Sequence, residues 1–141
     1  MKHFFLFIFV LSILFGCNGF AIEKHIVGNY YFVATDSKDA CTLSYGETHT
    51  HNYGTVIHAM VFEVGYNEEY LFVKQHPRTF AYPPKMELVN YYILPTLDGG
   101  MNWKNKNGLI GPLTLAQFQD SLEELHISTE IQFPIVMKKN E

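Results

Sequence analysis

Charged side chains are scarce in this chain: Asp, Glu, Lys and Arg together make up 17% of its 141 residues. A chain that stays disordered carries far more charge relative to its apolar content, so disorder along the whole length is excluded. The 10 basic residues stand against 14 acidic ones, and only Lys104/Lys106 and Lys138/Lys139 sit close together. A nucleic-acid surface needs clustered Lys and Arg to meet phosphates, and no such cluster exists here. With 2 cysteines there is no disulfide framework. P-loop, dinucleotide-binding and G-x-S-x-G patterns are all missing, as are repeats and low-complexity stretches. What the chain has in quantity is aromatic: 12 Phe, 9 Tyr and 1 Trp, 16% of all residues. That composition predicts a well-buried, strand-rich fold.

The longest apolar run lies at the N-terminus. Lys2 supplies a positive start, and Phe4 to Phe15 are apolar apart from Ser12. The run is too short for a spanning helix, which needs roughly 20 residues. Leu14-Phe15-Gly16-Cys17 has the form of a lipobox, in which a small residue precedes a cysteine that receives lipid. Residues 1–17 therefore read as a lipoprotein signal peptide ending at Cys17, with a palmitate-type anchor and a place in the bacterial cell envelope. The rival route is a cut after Ala21, where Gly19-Phe20-Ala21 offers small residues; it discards Cys17 and releases a soluble secreted protein. If Cys17 is lipidated, Cys41 is alone in the mature domain, where a buried small hydrophobe is the expected role. A Cys17–Cys41 disulfide requires that Cys17 be kept without lipid.

Residues 18–27 read as a tether, and residues 28–141 as one globular domain with a single core. Alternation over Asn29–Thr35 predicts a strand, with a return over Cys41–Tyr45 and a polar loop from Gly46 to Gly54. Thr55–Val64 is apolar on nearly both faces and reads as the central strand, with His58 among its buried side chains. Gly65–Glu68 is the turn of a hairpin whose second arm runs to Gln75. A proline-containing loop follows, then a strand over Leu88–Leu94 and a second loop from Thr96 to Gly111. A helix is predicted over Leu113–Ile127. Thr114 and Gln117 form a capping box, Leu113 and Phe118 a hydrophobic staple, and Leu115, Phe118, Leu122 and Leu125 an apolar stripe. Thr129–Met137 reads as an edge strand, because Pro134 bars it from a sheet interior. The fold class is α+β: an antiparallel meander sheet of about five strands with one C-terminal amphipathic helix packed on it.

The segments Val61–Gln75 (VFEVGYNEEYLFVKQ), Tyr91–Leu94 (YYIL) and Gly111–Ile127 (GPLTLAQFQDSLEELHI), taken with the lipobox, give the chain a resemblance. It resembles an uncharacterised family of small bacterial lipoproteins, a domain of unknown function. The resemblance implies a lipid-anchored domain and assigns no catalytic residue.

Candidate chemistry is thin. His49 and His51 form an H-x-H in a polar loop beside Glu47, and residues two apart on an extended segment point the same way. They are the candidate metal ligands, with His58, His76 or Glu47 as a third. Glu68-Glu69 and Glu123-Glu124 are adjacent pairs whose side chains diverge, so they read as solvated faces rather than acid/base couples. Trp103 in a polar loop and Tyr82 between prolines are the candidate contact residues for a protein or glycan partner. The expectation is a non-catalytic envelope lipoprotein with a binding or accessory role, without a cofactor and with the membrane as one partner. The alternative is a metal-binding envelope protein using His49 and His51.

Overall fold

Antiparallel strands account for more than half of the described residues. The computed structural model describes residues 22–35, 40–47, 52–77, 86–96, 108–128 and 130–136. Among these, β1 (Ile22–Val27), β2 (Tyr30–Ala34), β3 (Thr42–Glu47) and β4 (Asn52–Ile57) form one sheet in that order. β5 (Val61–Tyr66), β6 (Tyr70–Gln75), β7 (Asn90–Pro95), β8 (Ile110–Leu113) and the short β9 (Ile135–Val136) form a second, ordered β8-β7-β6-β5-β9. One helix, α1 (Leu115–Glu124), follows β8. The class is α+β with antiparallel strands, as the sequence predicts, but two sheets replace the single meander of about five strands.

The division falls inside Thr55–Val64, the stretch expected to be one central strand. Met60 has φ +75°, a left-handed conformation that no strand continues through, and the chain passes from one sheet to the other at His58–Met60. The polar backbone at this corner is paired rather than left bare. Val61 N–H donates to Cys41 O at 3.0 Å, and His76 N–H donates to Met60 O at 3.0 Å. Gln75 Nε2 donates to the carbonyls of His58 and Ala59 at 2.9 and 3.1 Å. His58 is exposed at this corner, not buried in a core strand.

The inner faces of the two sheets share one core. Tyr30, Phe32, Leu43 and Val56 from the first sheet pack with Val61, Val64, Leu71, Val73 and Leu94 from the second. Sheets packed this way stand about 10 Å apart. Cys41 lies in the same cluster with 0% exposure, the buried role expected of it. Tyr30 Oη also donates across the gap to Pro95 O at 3.1 Å. Burial of each Phe, Leu or Val here contributes about 1.5–3 kcal/mol.

Period-2 alternation along β6 and β7 sends Phe72 and Ile93 to the other face of the second sheet, where Phe118 and Leu122 of α1 cover them. The Phe118 ring lies 5.0 Å from Tyr91 and meets Phe72 edge-on at 6.2 Å. The capping box is present: Thr114 Oγ1 accepts from Gln117 N–H, and Gln117 Oε1 accepts from Thr114 N–H. Leu113 and Phe118 share the cluster, as a staple requires, whereas Leu115 is 52% exposed and drops out of the expected stripe. The helix closes with His126 at φ +56°, Ile127 N–H donating to Leu122 O and His126 N–H to Glu123 O. This is a Schellman ending, which explains why the helix stops short of Ile127.

Three boundaries differ from the sequence reading. Ile22–Val27, expected in the tether, pairs with β2 as a sheet edge. Within the polar loop expected over Gly46–Gly54, β3 runs on to Glu47 and β4 begins at Asn52, the two paired antiparallel. Ile110–Leu113 is a strand, although Gly111 and Pro112 make it look like a loop. Of the edge strand expected over Thr129–Met137, Ile135–Val136 pairs with β5 among the described residues.

Candidate functional site

The two sheets are bracketed at both ends. Tyr30 to Pro95 marks one end, and Gln75 to His58 and Ala59 marks the other. β3 ends at Glu47 and β7 at Pro95 toward the first; β6 ends at Gln75 and β7 begins at Asn90 toward the second. His49, His51, Tyr82, Trp103 and Cys17, the residues singled out in the sequence, lie outside the described residues, as does the segment 1–17 expected to be a signal peptide.

His58 follows β4 and His76 follows β6, so these two residues, considered as third ligands beside His49 and His51, both stand at the Gln75 end. His76 has a structural place of its own. Its ring stacks on Phe62 at 4.1 Å and 10°, and its Nδ1 lies 3.0 Å from Leu88 O, a carbonyl that only accepts. Among the described residues, no group of three or more His, Cys, Asp or Glu side chains could hold a metal ion. Glu68, Glu69, Glu123 and Glu124 are exposed, as expected of solvated faces.

The densest grouping of polar and aromatic side chains lies on the outer face of the first sheet. Tyr31 on β2 sits between His25 of β1 and Tyr53 of β4, with ring centres 5.1 and 4.8 Å away. Tyr53 reaches this far because Gly46 stands opposite it on β3; a Cβ at Gly46 would press on the Tyr53 ring at 2.8 Å. The Tyr53 hydroxyl then donates to Glu23 on β1 at 2.6 Å. Burial, followed by that bond and the Glu23 charge, pushes the Tyr53 phenol up to about 12. His25 Nε2 is 2.7 Å from Gly28 O, closing the β1–β2 turn. Tyr31 and Ser44 on this face are each 2% exposed, so it is a packed layer and not an open cleft. Sequence reasoning missed the cluster because it needs β1 to be a strand, and Glu23-Lys24-His25 reads as a polar tether. The one usable signal was the spacing of Glu23 and His25, two residues apart and alike in facing.

Residues 27–137 match the family described as protein of unknown function DUF3997. The chain belongs to that family. The match begins at the last residue of β1 and runs just past β9, so it takes in β2 to β9 and the helix and leaves nearly all of β1 outside. No curated protein and no solved structure matches the chain.

Proposed function

We propose that this DUF3997 protein is a non-catalytic, lipid-anchored component of the bacterial cell envelope with a binding or accessory role. The observation that carries the reading is the N-terminal sequence: Lys2, the apolar run Phe4–Phe15 and Leu14-Phe15-Gly16-Cys17. An anchored domain that binds rather than reacts needs a rigid scaffold with loops at its ends, and the paired sheets supply one. The contact surface is formed by the loops around Trp103 and Tyr82, large aromatic residues in polar and proline-containing sequence that suit an envelope protein or glycan.

Mass spectrometry of the mature N-terminus tests the anchor. A diacylglyceryl-modified Cys17 that disappears in Cys17→Ser supports it; a free Ile22 terminus overturns it. Affinity capture from envelope extract tests the surface: Trp103→Ala and Tyr82→Ala each lose the captured partner. Unchanged capture by both variants removes this surface from the proposal.

A further inference from the structure

β1 is built differently from the strands beside it. All five residues of β2 are buried, whereas β1 has three consecutive exposed residues, Glu23, Lys24 and His25, and only Ile26 fully in the core. It is the terminal strand of its sheet and pairs with β2 alone among the described strands. Its pairing is irregular between His25 and Val27. The turn that follows holds Gly28 at φ +54°, a conformation glycine adopts without strain. The side chains of β1 tie it to the rest of the fold through Ile26, with Ile22 and Val27 partly buried beside it. Across the outer face they do so through the Tyr53–Glu23 hydrogen bond at 2.6 Å and the packing of His25 against Tyr31.

We propose that β1 is a detachable strap, hinged at Gly28 and latched by Tyr53 on Glu23. Main-chain pairing holds it in register, but its burial is small, so its opening costs little compared with the opening of β2, β3 or β6. The consequence rests on the lipid-anchor reading above. β1 begins five residues after Cys17, and release at Gly28 adds its six residues, about 20 Å of extended chain, to the tether. Docked, the strap holds the domain near the membrane. Released, it lets the same domain reach a partner farther away.

Hydrogen exchange on the full chain tests this. The amides of Ile22–Val27 and the β2 amides bonded to them exchange together, roughly tenfold faster than those of β3 and β6. Tyr53→Phe keeps the ring, loses the hydroxyl and accelerates that set a further three- to tenfold or so, leaving β5–β7 unchanged. Glu23→Gln, which keeps a neutral acceptor, falls between wild type and Tyr53→Phe. Protection of β1 equal to that of β3 overturns the strap, as does Tyr53→Phe leaving β1 unchanged or accelerating both sheets alike. Exchange is read whatever group the N-terminus carries, so loss of the strap and loss of the lipid anchor are separate results.

Discussion

Tyr92 donates its hydroxyl to Gln75 Oε1 at 2.8 Å inside the molecule, while the Gln75 amide nitrogen holds the carbonyls of His58 and Ala59. Asn90 Nδ2 approaches the same oxygen at 3.4 Å. A buried glutamine with every polar atom engaged is a bracket between the second sheet and the corner that leads into it. Its removal strands several partners at once.

Gln75→Leu is therefore expected to cost about 2–4 kcal/mol, because the buried Tyr92 hydroxyl and two partly buried carbonyls lose their partner together. Tyr92→Phe leaves Gln75 its other bonds and is expected to cost about 1 kcal/mol. Urea denaturation of both variants, with the slope compared to wild type, checks the order.

Tyrosine ionisation sets an alkaline limit on stability. Tyr53 is pushed up to about 12, and burial also raises Tyr92 above its usual value. Both phenols stay neutral in the fold at a pH where the unfolded chain has ionised. Their contribution is thus intact below pH 10 and declines as pH rises from there through 12. A near-ultraviolet phenolate titration should show late-ionising tyrosines among the 9 present. Tyr53→Phe should remove one and lessen the loss of stability over that interval.

Gly65 marks the close approach of the C-terminal segment to β5. A Cβ there would run into the Gln132 carbonyl and press on the Phe133 ring at 3.2 Å. Phe133 in turn lies under Lys74 Nζ, 4.0 Å from the ring centre, and Lys74 pairs with Glu63. Gly65→Ala is expected to push β9 off its edge, read as loss of exchange protection at Ile135 with β6 and β7 intact. Equal protection in the variant would show that the segment can shift and stay.

Removal of the Thr114 hydroxyl ends the capping box from one side. Thr114→Ala should lower stability by about 1 kcal/mol, and Leu122→Ala by about 2–4 kcal/mol through the cavity it leaves under α1. Thermal melts read both. A Leu122→Ala change smaller than that of Thr114→Ala would mean that α1 contributes little to the second sheet.

The alternative reading places a metal ion on the H-x-H of His49 and His51, whereas the binding role proposed above needs no ion there. Elemental analysis of the dialysed protein should find no stoichiometric zinc or copper, and neither ion should shift the melting temperature. A shift lost in His49→Ala would restore the metal reading.

What was legible in the sequence was local. The β5–β6 hairpin was readable because Asn67 Oδ1 accepts from Glu69 N–H and Tyr70 N–H, a turn chemistry that shows in the residue type. The capped helix was readable for the same kind of reason. What failed depended on partners distant in the chain. Thr55–Val64 has a strand's pattern throughout, and the corner is held by partners distant in the chain: Cys41, His76 and the Gln75 side chain, fifteen residues past Met60. β1 looks like a tether until β2 pairs with it, and the Tyr31–Tyr53–Glu23 cluster exists only once four strands are aligned.

The single crossing at His58–Met60 has a consequence for the order of assembly. Each sheet is made of one continuous stretch of chain, the first ending at Ile57 and the second beginning at Val61. A polypeptide delivered from its N-terminus presents the whole first sheet before any of the second has emerged. Its pairings are all between sequence neighbours, which favours rapid formation. Until Val61–Gln75 arrives, the face carrying Tyr30, Phe32 and Leu43 has no lid, and the half-made molecule is at its most vulnerable to clumping with its own kind.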